Sequence, residues 1–246
     1  MKHVESPNLP QSRVVLAAIS ESAGESIKKL NELGIETIKI KESPFLPKPV
    51  NSHADLQILH LKNNLLFSQK EHLFEGLTNK NFNVQLISDS PSAYYPNDSR
   101  LNCALIGNKL ICNKKTIAKE ILEFAELNNL IIINVNQGYT RCSICVVDEN
   151  SIITDDKSIF AAAQNFFNDT LYVSKNSIRL VGYDYGFIGG CCGKIDKNVI
   201  AFNGRIESHT DYNKIIDFMA KHKTDIIELN NDRLTDIGGI LPLCEE

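Results

Sequence analysis

The feature that most constrains this chain is a hairpin that returns four times at nearly even spacing. Residues 56–67, 101–112, 142–154 and 190–202 each carry two short apolar runs joined by a polar tight turn. The turns are Lys62-Asn63-Asn64, Gly107-Asn108-Lys109, Asp148-Glu149-Asn150 and Asp196-Lys197-Asn198, and they recur every 41 to 48 residues. Turn formers between apolar runs predict β-hairpins. A period of this length predicts an array of one supersecondary unit, in which neighbours bury each other's apolar faces.

Each hairpin is followed by a helical pattern and then a short apolar run. Residues 115–127 are the clearest helix, with Ile117, Ile121, Leu122 and Ala125 on one face. Residues 158–167 and 212–220 repeat the pattern, and 71–77 is a shorter version. The strands expected next are 84–87, 131–135, 171–173 and 226–229. The unit is therefore ββαβ. The third unit also carries an extra apolar stretch at 178–181.

The two ends complete the count. Ile237-Gly238-Gly239-Ile240 echoes Ile188-Gly189-Gly190-Cys191 and reads as the first strand of a fifth hairpin. Near the start, residues 13–19 read as a strand without a partner, followed by a helix over 22–33, a stop at Gly34 and a strand over 36–40. Joining the ends makes a fifth unit and closes a ring with no long exposed edge. The expectation is one domain over residues 1–246, with 1–12 as a flexible tail.

A ring of five ββαβ units resembles the pentein fold of the guanidino-group-modifying enzymes. Local motifs carry the resemblance further. His53-Ala54-Asp55 opens the first hairpin, Gly138-Tyr139-Thr140-Arg141-Cys142 the third, and Gly238-Gly239 the last. The run from Gly182 through Tyr183, Asp184, Tyr185, Gly186, Phe187 and Ile188 to Gly189-Gly190 resembles an uncharacterised bacterial branch of that superfamily. The resemblance implies a central pocket, a cysteine nucleophile in the last unit, a histidine in the third, and acids that hold a guanidinium ion. Position by position, two of these differ. The motif resembling Gly-Gly-x-x-Cys ends here in Pro242, and the one resembling Gly-His-x-Asp reads Gly138-Tyr139-Thr140-Arg141. Arginine-type hydrolysis by the family's route is therefore not expected.

Composition excludes other classes. The net charge is −4 with the signs interspersed, and no basic cluster marks a nucleic-acid or anionic-membrane surface. The first apolar run, 14–19, is too short for a signal core or a membrane span. The seven cysteines are odd in number and are expected to be reduced thiols in a cytoplasmic protein. The glycines around Asp184 lack the spacing and following helix of a dinucleotide site. Cys142 and Cys145, three apart on a strand, point to opposite faces and cannot share a metal. No metal and no cofactor are expected.

The candidate site follows. His53 and Asp55, two apart on an extended run, are expected to share a face and handle protons. Cys244 lies two residues beyond Pro242, and a bulge would turn its thiol into the pocket as a nucleophile. Asp98, Arg141, Cys142 and Asp184 are expected to line the pocket, with Arg141 facing an anionic group such as a carboxylate. Asp155 and Asp156 read as helix caps. The leading reading is a protein that binds or transforms a small polar molecule. Two rivals stand beside it: a thiol-dependent guanidino or amidine hydrolase using Cys244, and a non-catalytic pentein that binds macromolecules.

Overall fold

The computed structural model describes residues 1–69 and 74–246. Part of the helix expected over 71–77 lies outside the described residues. The chain runs β1 (Lys2–His3), β2 (Val14–Ser20), α1 (Gly24–Glu32), β3 (Glu36–Ile40), α2 (Ala54–Gln57), β4 (Ile58–Lys62), β5 (Leu65–Ser68), α3 (Phe74–Thr78) and β6 (Asn83–Leu86). It continues with β7 (Ala104–Ile106), β8 (Lys109–Cys112), α4 (Lys119–Leu127), β9 (Ile131–Asn134), β10 (Ile144–Asp148), β11 (Ser151–Thr154), α5 (Lys157–Ala163) and β12 (Asp169–Tyr172). The last unit and the closing strand are β13 (Cys192–Asp196), β14 (Val199–Phe202), α6 (Tyr212–Lys221), β15 (Asp225–Glu228) and β16 (Ile240–Glu245).

These strands form five small sheets. In four of them an antiparallel hairpin is joined by a parallel third strand that returns after the helix: β4-β5-β6, β7-β8-β9, β10-β11-β12 and β13-β14-β15. The fifth is assembled from both ends of the chain, in the order β1-β16-β2-β3. Ile240 faces Ile19 and Leu241 faces Ala18 across the antiparallel closure. Asn63 and Gly107 adopt positive φ in their hairpin turns. The first, third and fourth hairpins slip register at the same place, between His60 and Lys62, Val146 and Asp148, and Lys194 and Asp196. The repeat therefore extends to a shared bulge just before each turn.

The hairpin strands are apolar almost without alternation, because both of their faces are covered. Each main core cluster lies between consecutive units. Leu59, Leu61 and Phe67 of the first unit pack with Leu110, Cys112 and Ile121 of the second. Ile106 and Ile111 pack with Ile144 and Ile152. Cys145 and Ile153 pack with Ile200, Phe202 and Ile215. Ile195 and Ala201 pack with Val14, Ile19 and Ile240, and Leu16 and Leu243 close the circle against Ala54, Ile58 and Leu66. The helices contribute one apolar face each, such as Ile27 and Leu30 of α1 or Ile215, Phe218 and Met219 of α6. Close approach requires glycine at one joint: a Cβ on Gly193 would lie 2.0 Å from the carbonyl oxygen of Ile240.

Two expectations are corrected. The first twelve residues are not free of the fold. Lys2 and His3 pair with Glu245 and Cys244, the amide of Val4 donates to Leu243 O, and Val4 and Leu9 are buried. Finally, the hairpins do not begin as plain strands. Residues 54–57 form one helical turn and Gly189–Cys191 a 3₁₀ turn before their strands start, and residues 139–143 are likewise turned. No helix among the described residues is long and apolar enough to cross a membrane.

Candidate functional site

The helical turns that open the hairpins converge on the ring axis, and the candidate site is built on them. A cavity of about 210 Å³ lies there, with His53, Cys142, Asp184 and Asp236 among its polar wall residues. Its apolar wall is Leu56, Leu180, Tyr139, Tyr183, Tyr185 and Phe187. A larger open groove of about 790 Å³ adjoins it, sharing His53, Leu180 and Asp236.

His53 is buried, and its Nδ1 sits 3.7 Å from Asp236 Oδ1. Gly238, at φ +74°, presses against it. A Cβ there would fall 2.3 Å from the Cβ of His53. Asp236 is anchored by two backbone donors, Gly238 N to Oδ1 and Phe187 N to Oδ2, both at 2.9 Å. Burial raises the pKa of Asp236, opposed by the nearby His53. Asp55 does not pair with His53. Because residue 53 is extended and residue 55 helical, the two side chains diverge, and Asp55 Oδ2 accepts instead from the thiol of Cys142 at 2.9 Å.

Cys142 is the centre of a buried network. Asn102 Nδ2 donates to its sulfur at 3.1 Å and also to the carbonyl of Asp55. Asn102 Oδ1 accepts from the amides of Arg141 and Cys142. Burial pushes the Cys142 thiol well up, and the Asp55 and Asp236 carboxyls push it further. Asp98 stands behind Tyr139, whose hydroxyl donates to its Oδ2 at 2.6 Å. Burial raises the pKa of Asp98 and, together with this bond, that of Tyr139. Asp184 is exposed at the cavity mouth.

Two expected site residues lie elsewhere. Arg141 is buried and turned away from the cavity. Its Nη1 donates to the carbonyls of Ile144 and Gly189, and its Nε to Asn8 Oδ1. Its guanidinium is spent on the frame and is not presented to an anionic ligand. Cys244 sits among Leu16, Ile40, Leu77 and Phe82 in the core. Bulges do flank it, between Pro242 and Cys244 and again before Glu245, but they turn its thiol into the helix layer. Burial lifts its pKa to about 11. Pro242 lines a crevice of about 20 Å³ that it shares with Asn8, His60 and Arg141 and that the central cavity does not include.

Sequence reasoning missed Asp236, Asn102 and the inward role of Asp155. Asp156 caps α5 as expected, accepting from Ser158 N and Ile159 N. Asp155 turns inward instead and accepts from Ile188 N at 2.8 Å. Burial raises its pKa to about 7. The signal for Asp236 was its place directly before Ile237-Gly238-Gly239, the run that echoes Ile188-Gly189-Gly190 and opens the closing strand. No group of three or more potential metal ligands occurs among the described residues.

Solved structures share this architecture at low identity. Inosamine-phosphate amidinotransferase from Streptomyces griseus matches with a TM-score of 0.62 at 9% identity, over 99% of this chain and 97% of that one. A putative peptidyl-arginine deiminase matches at 0.58 and 6%, over 99% of both chains. DDAH from Pseudomonas aeruginosa, complexed with citrulline, matches at 0.56 and 7%, over 89% of this chain and 92% of that one. The fold is that of the penteins. No curated protein sequence matches the chain. Residues 18–241 match the family of unknown function DUF6873, and the chain belongs to that family.

Proposed function

We propose that the protein binds a small polar molecule through a cationic group held in the central cavity. One observation carries this reading. Asp55 and Asp98 are bonded to the wall residues Cys142 and Tyr139, and Asp155 to the amide of Ile188 beside Phe187; each keeps one buried carboxylate oxygen without a hydrogen-bond partner. Asp236 and Asp184 add acid on the wall itself. Arg141 faces backbone carbonyls, and Lys175, 5.7 Å from the Tyr185 ring, is paired with Asp156. A surround with more acids than free cations favours a cation and disfavours the carboxylate that Arg141 suggested.

The structural neighbours are a putative peptidyl-arginine deiminase, an amidinotransferase and a citrulline-bound DDAH, and a cationic ligand is consistent with them. Their thiol route is not carried over. Pro242 and Tyr139 stand where the family motifs resemble Cys and His, and Cys244 is a core residue with a raised pKa. The polar wall counts against a purely macromolecular scaffold.

The test is calorimetric titration with guanidinium, ammonium and carboxylate salts at pH 6 and pH 8. Cations are expected to bind, and more tightly at pH 8, where Asp155, raised to about 7, is ionised. Carboxylate binding without cation binding would sink the reading.

A further inference from the structure

The walls of the cavity say which kind of cation it takes, if the reading above holds. A guanidinium or a primary ammonium ion needs acceptors in reach of its N–H groups. The buried carboxylate on the wall, Asp236, has both oxygens engaged by the amides of Gly238 and Phe187. The three remaining buried acids stand behind the wall. Cys142 covers Asp55, Tyr139 holds Asp98, and Ile188 N holds Asp155. Their free oxygens are buried and not offered to the cavity. They contribute negative field and no hydrogen bonds.

What the cavity does offer is aromatic surface. Tyr139 and Phe187 lie face to face with centroids 6.2 Å apart, and Tyr185 meets Phe187 edge-on at 5.8 Å with an interplanar angle of 84°. Tyr95 extends the row beside Tyr139 at 6.0 Å. Tyr183 adds a further ring to the wall at the mouth. Rings meeting at a right angle, with acids behind them, attract a cation through their faces without requiring any donor on it. Lys175 already lies 5.7 Å from the centroid of Tyr185.

From these relations we infer that the cavity is an aromatic cage for an N-alkylated ammonium head group, of the quaternary class, in preference to guanidinium. Alkyl groups match the Leu56 and Leu180 walls, and the diffuse charge matches buried acids that attract from behind the rings, with Asp184, exposed at the mouth, adding to the negative field.

Calorimetric titration of the full chain decides it, with tetramethylammonium and guanidinium chlorides at low concentration. Choline and its neutral isostere 3,3-dimethylbutan-1-ol are titrated in parallel. Tetramethylammonium is expected to bind about tenfold more tightly than guanidinium, and choline about tenfold more tightly than the alcohol. Phe187→Leu should weaken tetramethylammonium by about tenfold. Tyr183→Leu, at an exposed position that does not threaten folding, should weaken it by about threefold. If guanidinium binds more tightly than tetramethylammonium, the cage is overturned while cation binding stands. If choline and the alcohol bind equally, or neither tyrosine nor phenylalanine substitution matters, the cage is overturned as well. If no cation binds, the broader reading falls with it.

Discussion

The thiol of Cys142 donates to the carboxylate of Asp55 at 2.9 Å, and this one bond ties the third hairpin to the first across the ring axis. Asp55 has no other partner for its carboxylate, since Oδ1 is buried and unpaired. Cys142→Ala therefore strips a buried carboxyl of its donor and should destabilise the fold by about 1–3 kcal/mol in chemical denaturation. Cys142→Ser keeps a donor and should cost less than half as much. The thiol's raised pKa also predicts slow alkylation by iodoacetamide near neutral pH in the unliganded protein.

Asp155 sets a pH dependence whose sign can be worked out. Its carboxyl is raised to about 7 in the folded protein from an ordinary 3.8, so the folded state holds the proton more firmly than the unfolded one. The stability this contributes is fully present below about pH 4 and is lost as pH rises through about 7. The difference curve between wild type and Asp155→Asn should therefore slope against wild type between about pH 4 and pH 7 and level off above it, as read by urea denaturation at each pH. A flat difference curve would mean that Asp155 is ionised throughout.

His60 acts in the opposite sense. Burial lowers its pKa to about 4 from 6.5, so protonation favours the unfolded chain. Stability is lost as pH falls from about 6.5 towards 4. His60→Gln should reduce the acid sensitivity of the melting temperature, provided that the glutamine amide replaces the contact of Nε2 with Asn63 O at 2.6 Å.

Arg141 is expected to behave as a structural residue. Arg141→Met would leave the carbonyls of Ile144 and Gly189 and the Asn8 amide oxygen without their donor. The loss should be about 3 kcal/mol or more in denaturation. Arg141→Lys should be milder and should leave cation binding intact in calorimetry. A selective loss of ligand affinity with unchanged stability would restore the arginine to the site.

Gly190 guards the position of Asp236. A Cβ there would lie 2.0 Å from Asp236 Oδ1, so Gly190→Ala must displace the carboxylate from His53. Affinity for cations should fall by about tenfold or more, and the melting temperature should drop with it. Asp236→Asn removes the charge and sets an amide nitrogen against one of the two backbone donors, Gly238 N or Phe187 N, so affinity and melting temperature should both fall.

The repeat was legible because each of its signals is local. Turn residues such as Asn63 and Gly107 report their own dihedrals, and the apolar runs report strands that are covered on both faces. Site geometry was harder to see. His53 and Asp55 were assigned to one face on the rule that alternate strand residues align. One helical turn at 54–57 breaks that rule and sends them to different partners. The same turns, at 139–143 and 189–191, determine where Cys142 and Gly190 point.

The sequence by itself determined the unit, its number and the closure of the ring through β16 and β2, since periodicity and edge pairing follow from short-range chemistry. Only the tertiary structure decided the site. Whether Arg141 meets a ligand or a carbonyl, whether Cys244 faces the axis or the helix layer, and whether Asp155 caps a helix or turns inward depend on which groups from distant units arrive beside them. Those arrivals rest on contacts far apart in the chain: 33 residues for Asp155 with Ile188, 87 for Asp55 with Cys142 and 133 for Arg141 with Asn8. No local pattern encodes them.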